Sequence, residues 1–120
     1  MDKAQAVYQF WSGFDLPAYD PETVPDDADM PYITYETRTG KINESLSAVA
    51  SLWYRSTSWE GISKKADQIG DHIGLGGVMR MYDGGALWIR RGSSFAQRMA
   101  DTDPDIRRIV LTTEMEFIEG

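Results

Sequence analysis

His72 is the single histidine of the sequence, and there is no cysteine. Any site that needs an imidazole must therefore use that one side chain, and thiolate metal sites and disulfides are excluded. A Ser-His-Asp arrangement would have to pair His72 with Ser93 or Ser94, but no Gly-x-Ser-x-Gly elbow is present. The metalloprotease pattern needs two histidines on one helix and fails for the same reason. Gly74-Leu75-Gly76-Gly77 matches neither phosphate-binding glycine pattern, and it follows a helical stretch where those loops open one. Glu114 and Glu116 stand two apart in a strand-like run, so they share its polar face instead of facing each other across a cleft. Asp20, Glu22, Asp26, Asp27 and Asp29 have the density of a calcium loop but lack its central glycine and terminal glutamate. The expectation is no enzyme, no cofactor and no metal, with His72 a surface or helix-end residue, where the dipole mildly favours a cation.

Aromatic and basic residues gather in the later half. Tyr82, Trp88 and Phe95 could wall a small-molecule pocket, but no convergent polar groups accompany them. Arg90-Arg91 and Arg107-Arg108, with Trp88 and Phe95 as stacking platforms, could make a small single-stranded nucleic-acid patch. The net charge of −7 opposes this: residues 1–40 hold eight acids and two bases, and phosphate binding is driven by Lys and Arg.

These residues need a scaffold, and its centre is Ser45–Ile73. Leu46, Ala48, Ala50, Leu52 and Tyr54 alternate with Ser47, Val49, Ser51, Trp53 and Arg55, which makes one nearly apolar strand face with a small-residue middle. Thr57-Ser58-Trp59-Glu60 fits a capping box. Behind it Ile62, Ala66, Ile69 and Ile73 form one helical stripe, with Lys64, Lys65, Asp67, Gln68 and Asp71 turned to water. The glycines from Gly74 end the helix.

Residues 2–13 read as a helix capped by Asp2 and left at Gly13, with Val7, Phe10, Trp11 and Phe14 on its buried stripe. Residues 15–31, with Pro17, Pro21, Pro25 and Pro31, read as an irregular acidic arm. Tyr32–Thr37 is a short strand that pairs with the long one. Val78–Tyr82 and Ala86–Arg91 flank Asp83-Gly84-Gly85 as a hairpin. Residues 92–106 read as a long connection with a helical turn near Phe95–Met99. Arg107–Ile118 is the last strand, half-buried through Ile109, Leu111, Thr113, Met115 and Phe117. The expected fold is α+β in the order α-β-β-α-β-β-β: a mostly antiparallel five-stranded sheet with two helices packed on one face. At 120 residues this is a single domain, 1–120. No signal-peptide pattern and no run of about 20 apolar residues is seen, so no membrane association is expected.

The chain resembles the tail-terminator and tail-completion proteins of long-tailed bacteriophages and prophages, often labelled minor capsid or head-tail joining proteins. The residues that carry the resemblance are Pro31-Tyr32-Ile33-Thr34-Tyr35, the strand Ser47–Tyr54 leading into Ser58-Trp59 and the Ile62–Ile73 helix, the turn Asp83-Gly84-Gly85, and Ile106-Arg107-Arg108-Ile109-Val110. It covers nearly the whole chain and rests on order and spacing. It implies a structural virion protein of the tail or neck, assembled in the bacterial host cytoplasm. Its implied partners are copies of itself in a ring of six, a tail-tube protein and a head-completion connector.

Charge suggests where copies would meet. Residues 15–30 carry six acids and no base, while Arg80, Arg90, Arg91 and Arg98 cluster later. A head-to-tail contact presents two different surfaces. The expected interface pairs Tyr82, Trp88, Arg90, Arg91, Phe95 and Arg98 with Asp26, Asp27 and Asp29. In the alternative, arm and arginines meet within one subunit or not at all.

Overall fold

The computed structural model describes all 120 residues. Helix α1 (Lys3–Trp11) begins with a reciprocal capping box: Asp2 Oδ1 accepts from the Gln5 amide and Gln5 Oε1 from the Asp2 amide, each at 2.8 Å. It buries Ala6, Val7, Phe10 and Trp11 and tightens into a 3₁₀ turn, Ser12–Phe14. The chain leaves this turn through Asp15, in the left-handed region at φ 61°, rather than at Gly13.

The sheet has six strands, not five: β1 (Ala18–Tyr19), β2 (Tyr32–Tyr35), β3 (Ser45–Arg55), β4 (Val78–Tyr82), β5 (Gly85–Met99) and β6 (Ile106–Ile118). Their spatial order is β1-β2-β3-β6-β5-β4, antiparallel throughout except that β1 runs parallel to β2. The extra strand lies in the proline-rich arm. Pro17 lacks an amide proton, but its carbonyl takes the Ile33 amide at 2.8 Å. At a sheet edge a residue that cannot donate is tolerated.

The largest departure from expectation is in 92–106. There is no helical turn at Phe95–Met99; β5 runs on to Met99. Arg91 opposes Thr113 and Ala96 opposes Leu111, so Gly92, Ser93, Ser94 and Phe95 face Thr112 alone. This bulge holds Ser94 at φ 53°. It re-aims the strand so that Ala96–Met99 regain the β6 ladder. These residues are mostly exposed, so no alternation in burial announces them.

Helix α2 (Glu60–Ile73) buries Ile62, Ala66, Ile69, Gly70 and Ile73. The expected capping box is not formed. Ser58 Oγ accepts from the Glu60 amide at 3.1 Å, two positions on, and Glu60 pairs with Lys64 at 3.2 Å instead of reaching back. Thr57 is held outside the helix, its carbonyl taken by Arg107 at 2.8 Å. Lys65 is half-buried, its Nζ donating to the Phe14 carbonyl at 2.9 Å, which ties α2 to the end of α1.

Helix α2 crosses β3, β6 and β5, and α1 lies against β4 and β5. Between them and the sheet lie Leu46, Ala48, Ala50, Leu52, Leu87, Ile89, Ile109, Leu111, Met115 and Phe117, all buried. The opposite sheet face carries no helix. No helix is long and apolar enough to cross a membrane.

Candidate subunit-contact surface

Strand alternation divides the residues of β5. Leu87 and Ile89 point into the core, so Trp88 and Arg90 occupy the open face and Arg91 the helix side. The Arg90 guanidinium lies 4.0 Å from the Trp88 ring centre, donates to Ser45 Oγ at 2.9 Å and stands 3.8 Å from Glu116. The Trp88 indole donates to the Gly76 carbonyl at 3.0 Å. Both residues are half-buried, with donors engaged inside the chain.

Arg91 is exposed and makes no hydrogen bond or ion pair; its aliphatic stem passes Gly70 on α2. Phe95 covers the same glycine, its ring edge 3.1 Å from where a β-carbon would stand. Trp88 and Phe95 thus lie on opposite sides of the sheet, and a stacking platform or pocket wall made from the two together does not form. Arg98 is exposed with its guanidinium 4.7 Å from the Trp59 ring centre, and Arg107 approaches the same ring at 5.3 Å. Tyr82 belongs to the core at 7% exposure. Its ring stands edge-on to Phe117 and its hydroxyl donates to Glu119 at 2.7 Å. Burial, and then this carboxylate, push the Tyr82 phenol up to about 12.

Asp26, Asp27 and Asp29 are exposed, and no acid of residues 15–30 forms an ion pair within the chain. The arm leads out of and back into the β1–β2 edge, while Arg90, Arg91 and Arg98 lie on β5 past the end of its β4 ladder, where β5 is itself the edge. Strands β3 and β6 separate them, so the two charge groups do not meet in one subunit.

The other chemistry-bearing residues are accounted for locally. His72 is exposed, 3.0 Å from an Arg80 guanidinium nitrogen and edge-on to Phe14. Glu114 accepts from Ser45 at 3.1 Å. No three His, Asp or Glu side chains converge as a metal site.

Sequence reasoning did not reach one part of the open face. Arg108 lies 4.6 Å from the Trp53 ring centre and donates to Ser51 Oγ at 3.1 and 3.2 Å. The Trp53 indole donates to Thr34 Oγ1 at 2.9 Å. With Pro21, Val24 and Tyr32 these residues line a groove of about 480 Å³. Alternation places Trp53 and Ser51 on this face, but only the register Trp53↔Arg108 brings the arginine to them.

No family model matches the sequence, and no curated protein matches it. One likeness among solved structures covers almost the entire molecule. The fold is shared with a chain of the virion of a native gene transfer agent (GTA) particle, at a TM-score of 0.69 and 19% identity, over 98% of this chain and 94% of that one. At that identity the likeness establishes the fold alone.

Proposed function

We propose that this protein is a structural virion component that acts by assembling, head to tail, into a ring. Following the tail-terminator resemblance, the ring holds six copies, caps a tail tube and joins it to a head connector, and it forms in the host cytoplasm. The observation that carries the reading is the likeness in fold, along nearly the full length, to a chain that stands in a virion. Charge supplies the polarity of assembly. One sheet edge holds an arm of unpaired acids, and the far edge holds Arg91 and Arg98 without ionic partners. Opposite patches on opposite ends favour association between copies, and exposed Met79 and Met81 beside the arginine edge add apolar contact area.

Sedimentation from micromolar to millimolar concentration, with and without tail-tube protein, tests this. Arg91→Glu with Arg98→Glu should leave the fold intact and weaken assembly. Adding Asp26→Lys and Asp27→Lys should restore it. A species that stays monomeric under every condition overturns the proposal.

A further inference from the structure

Strand β3 is longer than the strand that covers it. The β2 ladder ends at Tyr35↔Ala50, followed by a bond from the Glu36 amide to the Val49 carbonyl at 3.0 Å. Residues Ser45–Val49 continue with a strand partner on the β6 side only. On the uncovered side, two side chains stand where a strand would. Glu36 Oε1 accepts from the Val49 amide at 2.9 Å, and Arg38 Nη1 donates to the Ser47 carbonyl at 2.7 Å. A carboxylate replaces a strand carbonyl and a guanidinium replaces a strand amide. Glu36 and Arg38 are exposed, and a groove of about 610 Å³ runs beside Arg38 past Gly40, Lys41, Ser45 and Leu46.

The far end of the sheet has the complementary form. Strand β4 is the edge, and no backbone–backbone bond of Val78–Tyr82 reaches outside its ladder with β5. The Met79 carbonyl is met by a side chain, the neighbouring Arg80, at 3.2 Å. Met79 and Met81 are 48% and 68% exposed. Unpaired edges are templates for another strand.

We infer that β4 of one copy adds to the Ser45–Val49 edge of the next copy, displacing the Arg38 side chain and both the side-chain and backbone bonds of Glu36 to Val49, so that one sheet runs through neighbouring subunits. The inference rests on the head-to-tail ring reading and names its contact. Both stretches are five residues long; β4 ends the strand order, and β3, third in it, is open over Ser45–Val49 because β2 does not reach that far. The same polarity sets the arginine edge of one copy toward the acidic arm of the next. In a continuous sheet, Met79 and Met81 would share the open face with half-buried Val49.

The chain has no cysteine, so introduced thiols report cleanly. Single variants Ser45→Cys, Ser47→Cys and Val49→Cys are each mixed with Met79→Cys or Met81→Cys under mild oxidation. One mixed pair should form a disulfide faster than either variant alone, because opposed strand residues lie about 4.5–5.5 Å apart. Replacing both caps, Glu36→Ala with Arg38→Ala, should lower the concentration needed for assembly by about fivefold, the scale of one net hydrogen bond. Oligomers with no preferred mixed pair, or cap variants that assemble no more readily, overturn the strand addition and leave the ring reading standing. A monomer at every concentration overturns both.

Discussion

Tyr82 at the end of β4 donates its phenolic proton to Glu119 just past the end of β6, at 2.7 Å. Lys3 of α1 stands 3.4 Å from the same carboxylate, so one acidic group joins two strands and a helix. Below pH 10 the phenol is neutral in both folded and unfolded chains. Between 10 and about 12 only the unfolded chain ionises. The unfolded state then binds fewer protons, and stability falls as pH rises through that window. Glu119 behaves oppositely: the Tyr82 hydroxyl and then Lys3 hold it below the usual carboxylate value of 4.5, so its contribution is present above that pH and lost on acidification. Ultraviolet titration of phenol ionisation should lose its step near 12 in Tyr82→Phe and shift it downward in Glu119→Gln. An unchanged titration in Tyr82→Phe would refute the assignment.

Gly77 and Gly76 are adjacent but should respond very differently to alanine. Gly77 is at φ 82°, and an added β-carbon would stand 2.5 Å from the Ile89 carbonyl and 2.7 Å from the Trp88 indole nitrogen. Gly76 has open space. Gly77→Ala should cost at least about 1–3 kcal/mol through strain and the displaced indole, whereas Gly76→Ala should lie within about 0.5 kcal/mol of wild type. Urea unfolding followed by tryptophan fluorescence checks the pair.

Arg90 and Arg91 are neighbours with different roles. Arg90→Glu loses the Trp88 stack and the Ser45 bond, and it sets a carboxylate beside Glu114 and Glu116. It should destabilise the monomer by about 1–2 kcal/mol. Arg91→Glu should change monomer stability by less than about 0.5 kcal/mol, since Arg91 has no polar partner. Equal losses in the two variants by denaturant titration would contradict this division.

Ile69 is fully buried at the middle of α2, under the sheet. Ile69→Ala should cost about 2–5 kcal/mol, because the lost transfer energy adds to that of the cavity left behind. Asp67→Ala on the exposed side should be near neutral. Thermal unfolding of the two variants gives the comparison.

Periodicity alone determined the elements whose side chains divide between core and water. The alternation of Leu46, Ala48, Ala50 and Leu52 located β3, the spacing of Ile62, Ala66, Ile69 and Ile73 located α2, and Asp83-Gly84 located the β4–β5 turn, because burial and glycine's freedom at φ 100° act within a few residues. The opposite charges of arm and arginines were also legible in the sequence. Tertiary structure decided what depends on register and on backbone pairing. Strand β1 and the far half of β5 are held by ladder hydrogen bonds to partners remote in sequence, which any side chain can accompany, so exposed or proline-flanked residues give no signal of them. The alignment of β5 with β6 engaged Arg90 inside the chain and left Arg91 without a polar partner. The shortness of β2 against β3 left an edge capped by Glu36 and Arg38, because a strand's partner length is set by the fold around it and not by its own residues.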